Sequence, residues 1–379
     1  MTTLDQPLNV RGAPAIYRCE AGILEKLESL LQPYGCRRAL VVHGERSWEA
    51  ASPYWPQQTE LTLLPLAYRG ECTLAEASRI ARESQAAQAD ILLGVGGGKV
   101  MDLVKAAGIE AGLDTVLVPT LASNCAAWTP LSVFYDEQGR FTHYTLHPKS
   151  PLMVLVDPQI ALRAPAAYLR SGIADTLAKW YEADVLVRQW SRPPAAVQIA
   201  HLTARLCQTA LLEHGLQSVR DAERQQLTDA FTLAVETIIM TGGTVGGFGD
   251  HAGRIAGAHS IHNGLTAARA THHLLHGDKV AYGILVQLAL EGNLSEVERL
   301  LPFYRDMGLP RRLSDLGLWA GALCFRFSSA SALSSSILYF PLSPQLPGYP
   351  LFASVSTFSI TFLNRLYKKL EISLITRPL

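Results

Sequence analysis

The stretch HSIHNGLTAARATHHLLHGDK, residues 259–279, holds five of the chain's eleven histidines. His259 and His262 are three apart, so a helix sets both imidazoles on one face. His276 directly precedes GDKVAYGILVQLALEG, a strong helical pattern whose first turn presents it inward. Converging imidazoles bind a borderline divalent metal, usually together with a carboxylate. Asp175, inside the otherwise apolar helical stretch SGIADTLAKWYEA, is the natural supplier, because burying a lone carboxylate is costly and a cation offsets the cost. Each histidine taken singly reads as an ordinary satisfied imidazole; the metal reading rests on the group. His272 and His273 read as bystanders on a solvated loop.

A second chemical signal is GVGGGKVMD, residues 94–102, which follows the strand-like ADILL and opens the helical pattern VMDLVKAAG. Glycines at such a turn let the backbone approach a phosphate, and the helix N-terminus supplies free N–H groups and a positive dipole. The stretch fits neither G-x-G-x-x-G nor the P-loop pattern, since Lys99 takes the third glycine position of the first and Val100 follows the lysine in the second. Upstream, VVHGERS places Glu45 where its carboxylate can accept from an adenosine ribose, favouring NAD, beside Arg46, which can pair with a 2′-phosphate and favour NADP. The two point in opposite directions. Thr120, at the end of the strand pattern DTVLVPT, is a further cofactor-binding candidate.

With GGGK followed by Asp102, the sequence resembles the iron-containing and glycerol dehydrogenase-like alcohol dehydrogenases, whose GGGKxxD signature binds the pyrophosphate of a nicotinamide dinucleotide. The resemblance implies that Gly96, Gly97, Gly98, Lys99 and Asp102 bind NADH or NADPH, and that Asp175, His259 and His276 hold one catalytic divalent metal. Lys179 stands where the iron-dependent members carry another histidine, so three protein ligands and zinc are implied. His262 is then a proton relay or a residue orienting a ligand. In the glycerol dehydrogenases the loop after DTVLVPT carries an Asp near the substrate hydroxyls; here Cys125 stands in its place, as a core thiol or a nucleophile. Loss of that carboxylate favours an acid over glycerol. CAAWTPLSV, GIADTLAKWYEA and HGDKVAYGILVQ together resemble the hydroxycarboxylate dehydrogenase branch, which interconverts 2-oxo and 2-hydroxy acids. The resemblance thus implies a metal-dependent NAD(P)H oxidoreductase, with the metal as Lewis acid in hydride transfer, and a homo-oligomer. A polyol dehydrogenase, or a metal- and nucleotide-binding homologue without turnover, are the alternatives.

These residues must be carried by definite elements. RRALVVHG, ADILLGVGGG, DTVLVPT and LMVLVD are continuous apolar runs bounded by turn residues and separated by helical patterns, which predicts a doubly wound parallel sheet covered on both faces. After Asp157 the strand signal fades and helical spacing takes over, as in LRSGIADTLAKWYEADVLVRQ and DAERQQLTDAFTLAVETIIM. The expected class is α/β: a dinucleotide-binding domain over 1–157 and an all-helical metal and substrate domain over 158–379, an organisation that the resemblance makes dehydroquinate synthase-like. From Trp319 onward the pattern breaks: one acidic residue, Glu371, stands beside five basic ones, and serine clusters replace amphipathic spacing, so this segment reads as divergent or frame-altered.

Composition narrows the partners. Lys and Arg number 33 against 33 Asp and Glu, which argues against nucleic acid or anionic membrane and favours a small molecule. Six scattered cysteines without a CxxC pair suit a reducing compartment, and MTTLDQPLNV has no signal-peptide pattern, so a cytoplasmic protein is expected.

Overall fold

The structure, a computed structural model, describes residues 7–253 and 256–318; the atypical segment from Trp319 lies outside them. The described residues divide into two compact units, 7–253 with 275–278, and 256–274 with 279–318. The expected change from sheet to helices near residue 157 falls inside the first unit.

The first unit is built on strands β1 (Ile16–Cys19), β2 (Arg38–His43), β3 (Thr62–Ala67), β4 (Ile91–Gly96), β5 (Asp114–Pro119) and β8 (Met153–Val156). They form one parallel sheet in the order β1-β8-β5-β4-β2-β3, while β6 (Leu131–Tyr135) and β7 (Phe141–Leu146) pair as a separate antiparallel hairpin. The four apolar runs predicted as strands are β2, β4, β5 and β8. Each is buried because both sheet faces are covered by apolar groups, with Val41, Leu93, Val116 and Leu155 in one continuous core. Burial of each such side chain contributes about 1.5–3 kcal/mol.

Helices α1 (Leu27–Leu31), α2 (Glu45–Ala51), α3 (Leu74–Ala86) and α4 (Gly98–Ala111) alternate with the strands. Chain order reverses between β2 and β4: β2 leads outward to β3, and the chain returns to β4 on its other side. In open α/β sheets ligands bind beyond the strand ends at such a reversal. The ends of β2 and β4 carry Glu45 and the glycine turn, and Ser47 ties them together by accepting from Gly44 N–H at 2.9 Å and donating to the Val95 carbonyl at 2.9 Å.

At Asp157 the sheet gives way to α5 (Pro158–Leu162), α6 (Ala166–Val187), α7 (Ala195–Glu223), α8 (Asp229–Glu236) and α9 (Gly242–Gly249). Asp157 caps α5 by accepting from Gln159 N–H at 2.9 Å, and it also accepts from Gly22 N–H at 2.8 Å. The helical spacing running through 221–240 is split in the structure. Gln225 takes a left-handed φ of 53° after α7, and the Thr228 hydroxyl starts α8 afresh by accepting from Phe231 N–H. Residues 229–253 are apolar enough by composition to cross a bilayer, yet 61% of that window is buried within the protein, as in a core helix. The second unit holds α10 (Gly257–Leu265), most of α11 (His276–Leu290) and α12 (Leu294–Met307).

Two close approaches within the first unit place the chemistry. A Cβ on Gly172 of α6 would lie 2.1 Å from the Ala122 carbonyl oxygen, so only glycine lets α6 lie on the loop after β5. A Cβ on Gly277 would lie 1.8 Å from the Ser171 carbonyl oxygen, and the Gly277 N–H donates to Ser171 Oγ at 2.9 Å. The start of α11 is thereby seated on α6. Gly172→Ala is expected to destabilise the protein by about 1–3 kcal/mol through overpacking, measured by urea unfolding; an unchanged midpoint would show that the loop yields without cost.

Candidate metal and dinucleotide site

Asp175 lies on α6 and is 3% exposed. Its Oδ1 is 3.1 Å from Nε2 of His276, the first residue of α11. A buried carboxylate beside an imidazole is a donor pair of the kind that divalent ions take, so the residues present fit a metal. His259 and His262 stand in the second unit on α10, half-buried, with ring centroids 6.4 Å apart, which confirms that they share a helix face. His262 Nδ1 meets Asn263 Oδ1 at 3.0 Å. His272 and His273 are exposed.

Gly96 ends β4, Gly97 is the N-cap of α4, and Gly98 and Lys99 open the helix. No side chain caps α4, in contrast to α3 and α8, where Thr73 and Thr228 accept from first-turn amides. Its N-terminal N–H groups are therefore offered to an anion. A Cβ on Gly98 would lie 2.8 Å from Asn124 Nδ2, so a larger residue there would displace the Asn124 side chain. Thr120, buried at the end of β5, donates its N–H to the Gly96 carbonyl at 3.0 Å and brings the two strand ends together. These residues fit a bound pyrophosphate. Glu45 and Arg46 sit in the first turn of α2, both exposed.

Two members of the glycine signature are engaged elsewhere. The Lys99 ammonium bonds Glu71 Oε2 at 2.8 Å, so it is the helix N-terminus that faces an incoming anion. Asp102 is buried and turned away from the helix end: Oδ1 lies 2.9 Å from Lys105 Nζ and Oδ2 accepts from Val133 N–H at 3.0 Å. Lys105, which sequence reasoning missed, is 3% exposed and also donates to the carbonyls of Ala126 at 2.6 Å, Thr129 at 2.9 Å and Leu131. One ammonium thus fixes the loop after β5 to the cofactor helix. The signal for it was present: an Asp and a Lys three apart inside an apolar helix must pair.

The loop is held from the other side by Trp128, whose Nε1 donates to the Gly12 carbonyl at 3.0 Å and whose ring meets Tyr17 edge-on at 5.3 Å. Between these anchors sits Cys125. Burial pushes its thiol up, against the pull of Lys179, so the sulfur stays protonated at neutral pH and is a poor nucleophile.

Ser132 and His147 complete the buried network. The Ser132 hydroxyl donates to the Asp102 carbonyl at 2.7 Å, and having one proton it accepts from His147 Nε2 at 2.7 Å. Burial, then the charge on Lys105, lowers the His147 pKa from 6.5 to about 4. The unfolded chain therefore binds the extra proton between these values, and stability falls as pH drops from 6.5 toward 4. The expected loss is roughly 3 kcal/mol, and a His147→Asn variant should lack that slope in unfolding titrations; parallel slopes in the two proteins would contradict it. Lys105→Met, which strands Asp102, is expected to cost about 3–5 kcal/mol by denaturant unfolding, and a cost below about 1 kcal/mol would mean that the pair is solvated.

The family of iron-containing alcohol dehydrogenases matches residues 14–158. Hydroxycarboxylate dehydrogenase A of Escherichia coli (strain K12) is 41% identical over 311 residues, 82% of this chain and 86% of that protein. A glycerol dehydrogenase of Thermotoga maritima is 34% identical over 80% of this chain and 84% of its own length. The crystal structure of glycerol dehydrogenase from Schizosaccharomyces pombe superposes with a TM-score of 0.76 at 29% identity, covering 84% of this chain and 82% of that one. Sheet order, glycine turn and relatives lead to one conclusion: the chain belongs to the iron-containing alcohol dehydrogenase family, as an oxidoreductase acting on alcohol groups.

Proposed function

We propose that the protein interconverts 2-oxo and 2-hydroxy acids with NADH or NADPH and one divalent metal, zinc being the expected ion. The observation that carries this reading is the 3.1 Å contact of buried Asp175 with His276, beside a loop whose Cys125 thiol is neutral. His259 joins Asp175 and His276 as the third ligand that the resemblance implies, one carboxylate and two imidazoles being a donor set for a divalent ion. A loop without a carboxylate removes an acceptor for polyol hydroxyls and removes repulsion toward an anionic substrate. The relative named hydroxycarboxylate dehydrogenase A supports the acid over the polyol.

When bound, a divalent metal supplies Lewis acidity toward a carbonyl oxygen and a reduced nicotinamide supplies hydride. The chain's own residues provide the placement. Asp175, His276 and His259 hold the metal; Gly97, Gly98 and the N–H groups opening α4 bind the pyrophosphate; Gly96 and Thr120 shape the turn. Lys99 steadies that turn through Glu71, Asp102 positions the loop through Lys105, and Glu45 orients the adenosine ribose with Arg46 beside it. Cys125 lines the substrate side of the loop as a neutral thiol. His262, on the same helix face as His259, moves a proton between solvent and the substrate oxygen. The resemblance implies a homo-oligomer, and the scattered cysteines suit a cytoplasmic setting.

The test is a substrate panel: zinc-loaded protein with NADH or NADPH and 2-oxoglutarate, 2-oxobutanoate or dihydroxyacetone, followed by nicotinamide absorbance. Oxidation with the 2-oxo acids is expected; oxidation with dihydroxyacetone alone would return the protein to the polyol class. Asp175→Asn is expected to weaken zinc binding by more than the roughly 10- to 100-fold typical of residues around a ligand and to depress turnover in parallel. Full zinc retention and activity in that variant would remove Asp175 from the site.

A further inference from the structure

Six lysines lie among the described residues, and Lys26, Lys99, Lys105, Lys149 and Lys279 each reach a carboxylate or a backbone carbonyl. Lys179 differs: among the described residues no hydrogen bond or ion pair engages its ammonium. It is half-buried on α6 one turn after Asp175, hence on the same helix face. Burial disfavours its charge, and of the groups around it the Glu182 carboxylate favours that charge against burial. It is also the strongest cation acting on the Cys125 thiol. Its ammonium therefore belongs to the Asp175 face of α6, acts on the loop that carries Cys125, and has no bond partner among the described residues. The nearest alternative on α6, Arg170, already faces Asp278 at 3.5 Å.

We propose that Lys179 receives the carboxylate of the 2-oxo acid and sets the preference for acids over neutral ketones. The assignment rests on the 2-oxo acid reading above. A 2-oxo acid carries its carboxylate on the carbon next to the carbonyl, so a substrate whose keto oxygen lies by Asp175 and His276 presents that anion within a few ångströms, about one helical turn away. An ammonium there makes a charge-assisted hydrogen bond that a hydroxymethyl group in the same place cannot match. Cys125 complements it by adding no competing anion. The carboxylate thus finds one partner that the polyol branch does not need.

The experiment compares 2-oxobutanoate with 1-hydroxybutan-2-one, in which hydroxymethyl replaces carboxylate, on the zinc- and cofactor-loaded wild type and on Lys179→Met, Lys179→Gln and Lys179→Arg. A second readout is calorimetric titration of 2-oxobutanoate into the enzyme loaded with oxidised cofactor, where no turnover occurs. In the Met and Gln variants the loss in kcat/KM and in affinity for the acid should exceed the loss for the ketone by about 10- to 100-fold, with partial rescue in the Arg variant. If the wild type prefers the acid while Met and Gln variants retain its KM and affinity, the carboxylate is held elsewhere and only this assignment falls. If the wild type prefers the ketone and binds no acid, the 2-oxo acid reading falls and takes the assignment with it. Zinc content and near-ultraviolet circular dichroism identify a variant that has not folded, in which case the remaining variants decide.

Discussion

Asp175 is a carboxylate with 3% of its surface exposed, set in a largely buried helix. A group of this kind survives burial only when its oxygens are met by donors or a cation. The fold meets one of those demands by seating the start of α11 on α6, where Gly277 and Ser171 touch backbone to backbone and bring His276 Nε2 to 3.1 Å. Much of the first unit serves that placement. Gly172 lets the loop after β5 lie on the same helix, so the carboxylate, the imidazole and the substrate loop share one neighbourhood.

The opposite side of that loop is governed by a second buried charge. Lys105 is shared between Asp102 and three backbone carbonyls, and through Val133 and Ser132 the network extends to His147. Carbonyls at a loop have no ladder partners, and an ammonium with three donors satisfies several at once. Helix α4 and the loop after β5 are thereby tied to one another through a single ammonium. The aspartate of the glycine signature thus supports the loop, and the N-terminus of α4 is left without a side-chain cap.

Legibility in the sequence followed burial. β2, β4, β5 and β8 are fully enclosed, so their Val and Leu runs were visible as strands. β3 was not: it is an edge strand interrupted by Pro65, tolerable only because one side of it is unpaired. β1 is a four-residue edge, and the β6–β7 hairpin exposes Phe141, Tyr144 and Leu146, so neither carries a core pattern. What the sequence made visible of the candidate site was unusual residue types in one place: the glycine turn at the end of β4 and Asp175, which the fold brings to His276. For Asp102 the motif gives a position in sequence and says nothing of the direction in which a distant partner draws the side chain, here toward Lys105 and Val133 N–H. Lys105, Ser132 and His147 went unread for the same reason, since their meeting depends on how the hairpin folds onto α4.

Zinc K-edge X-ray absorption of the zinc-loaded protein tests the central claim, that the Asp175 and His276 pair is the nucleus of a metal site whose neighbouring thiol is not a ligand. The account predicts only light scatterers at about 2.0–2.1 Å with imidazole outer-shell features, and loss of the bound ion in Asp175→Asn. A sulfur scatterer at about 2.3 Å would place Cys125 on the metal, and a protein that retains no zinc would contradict the account outright.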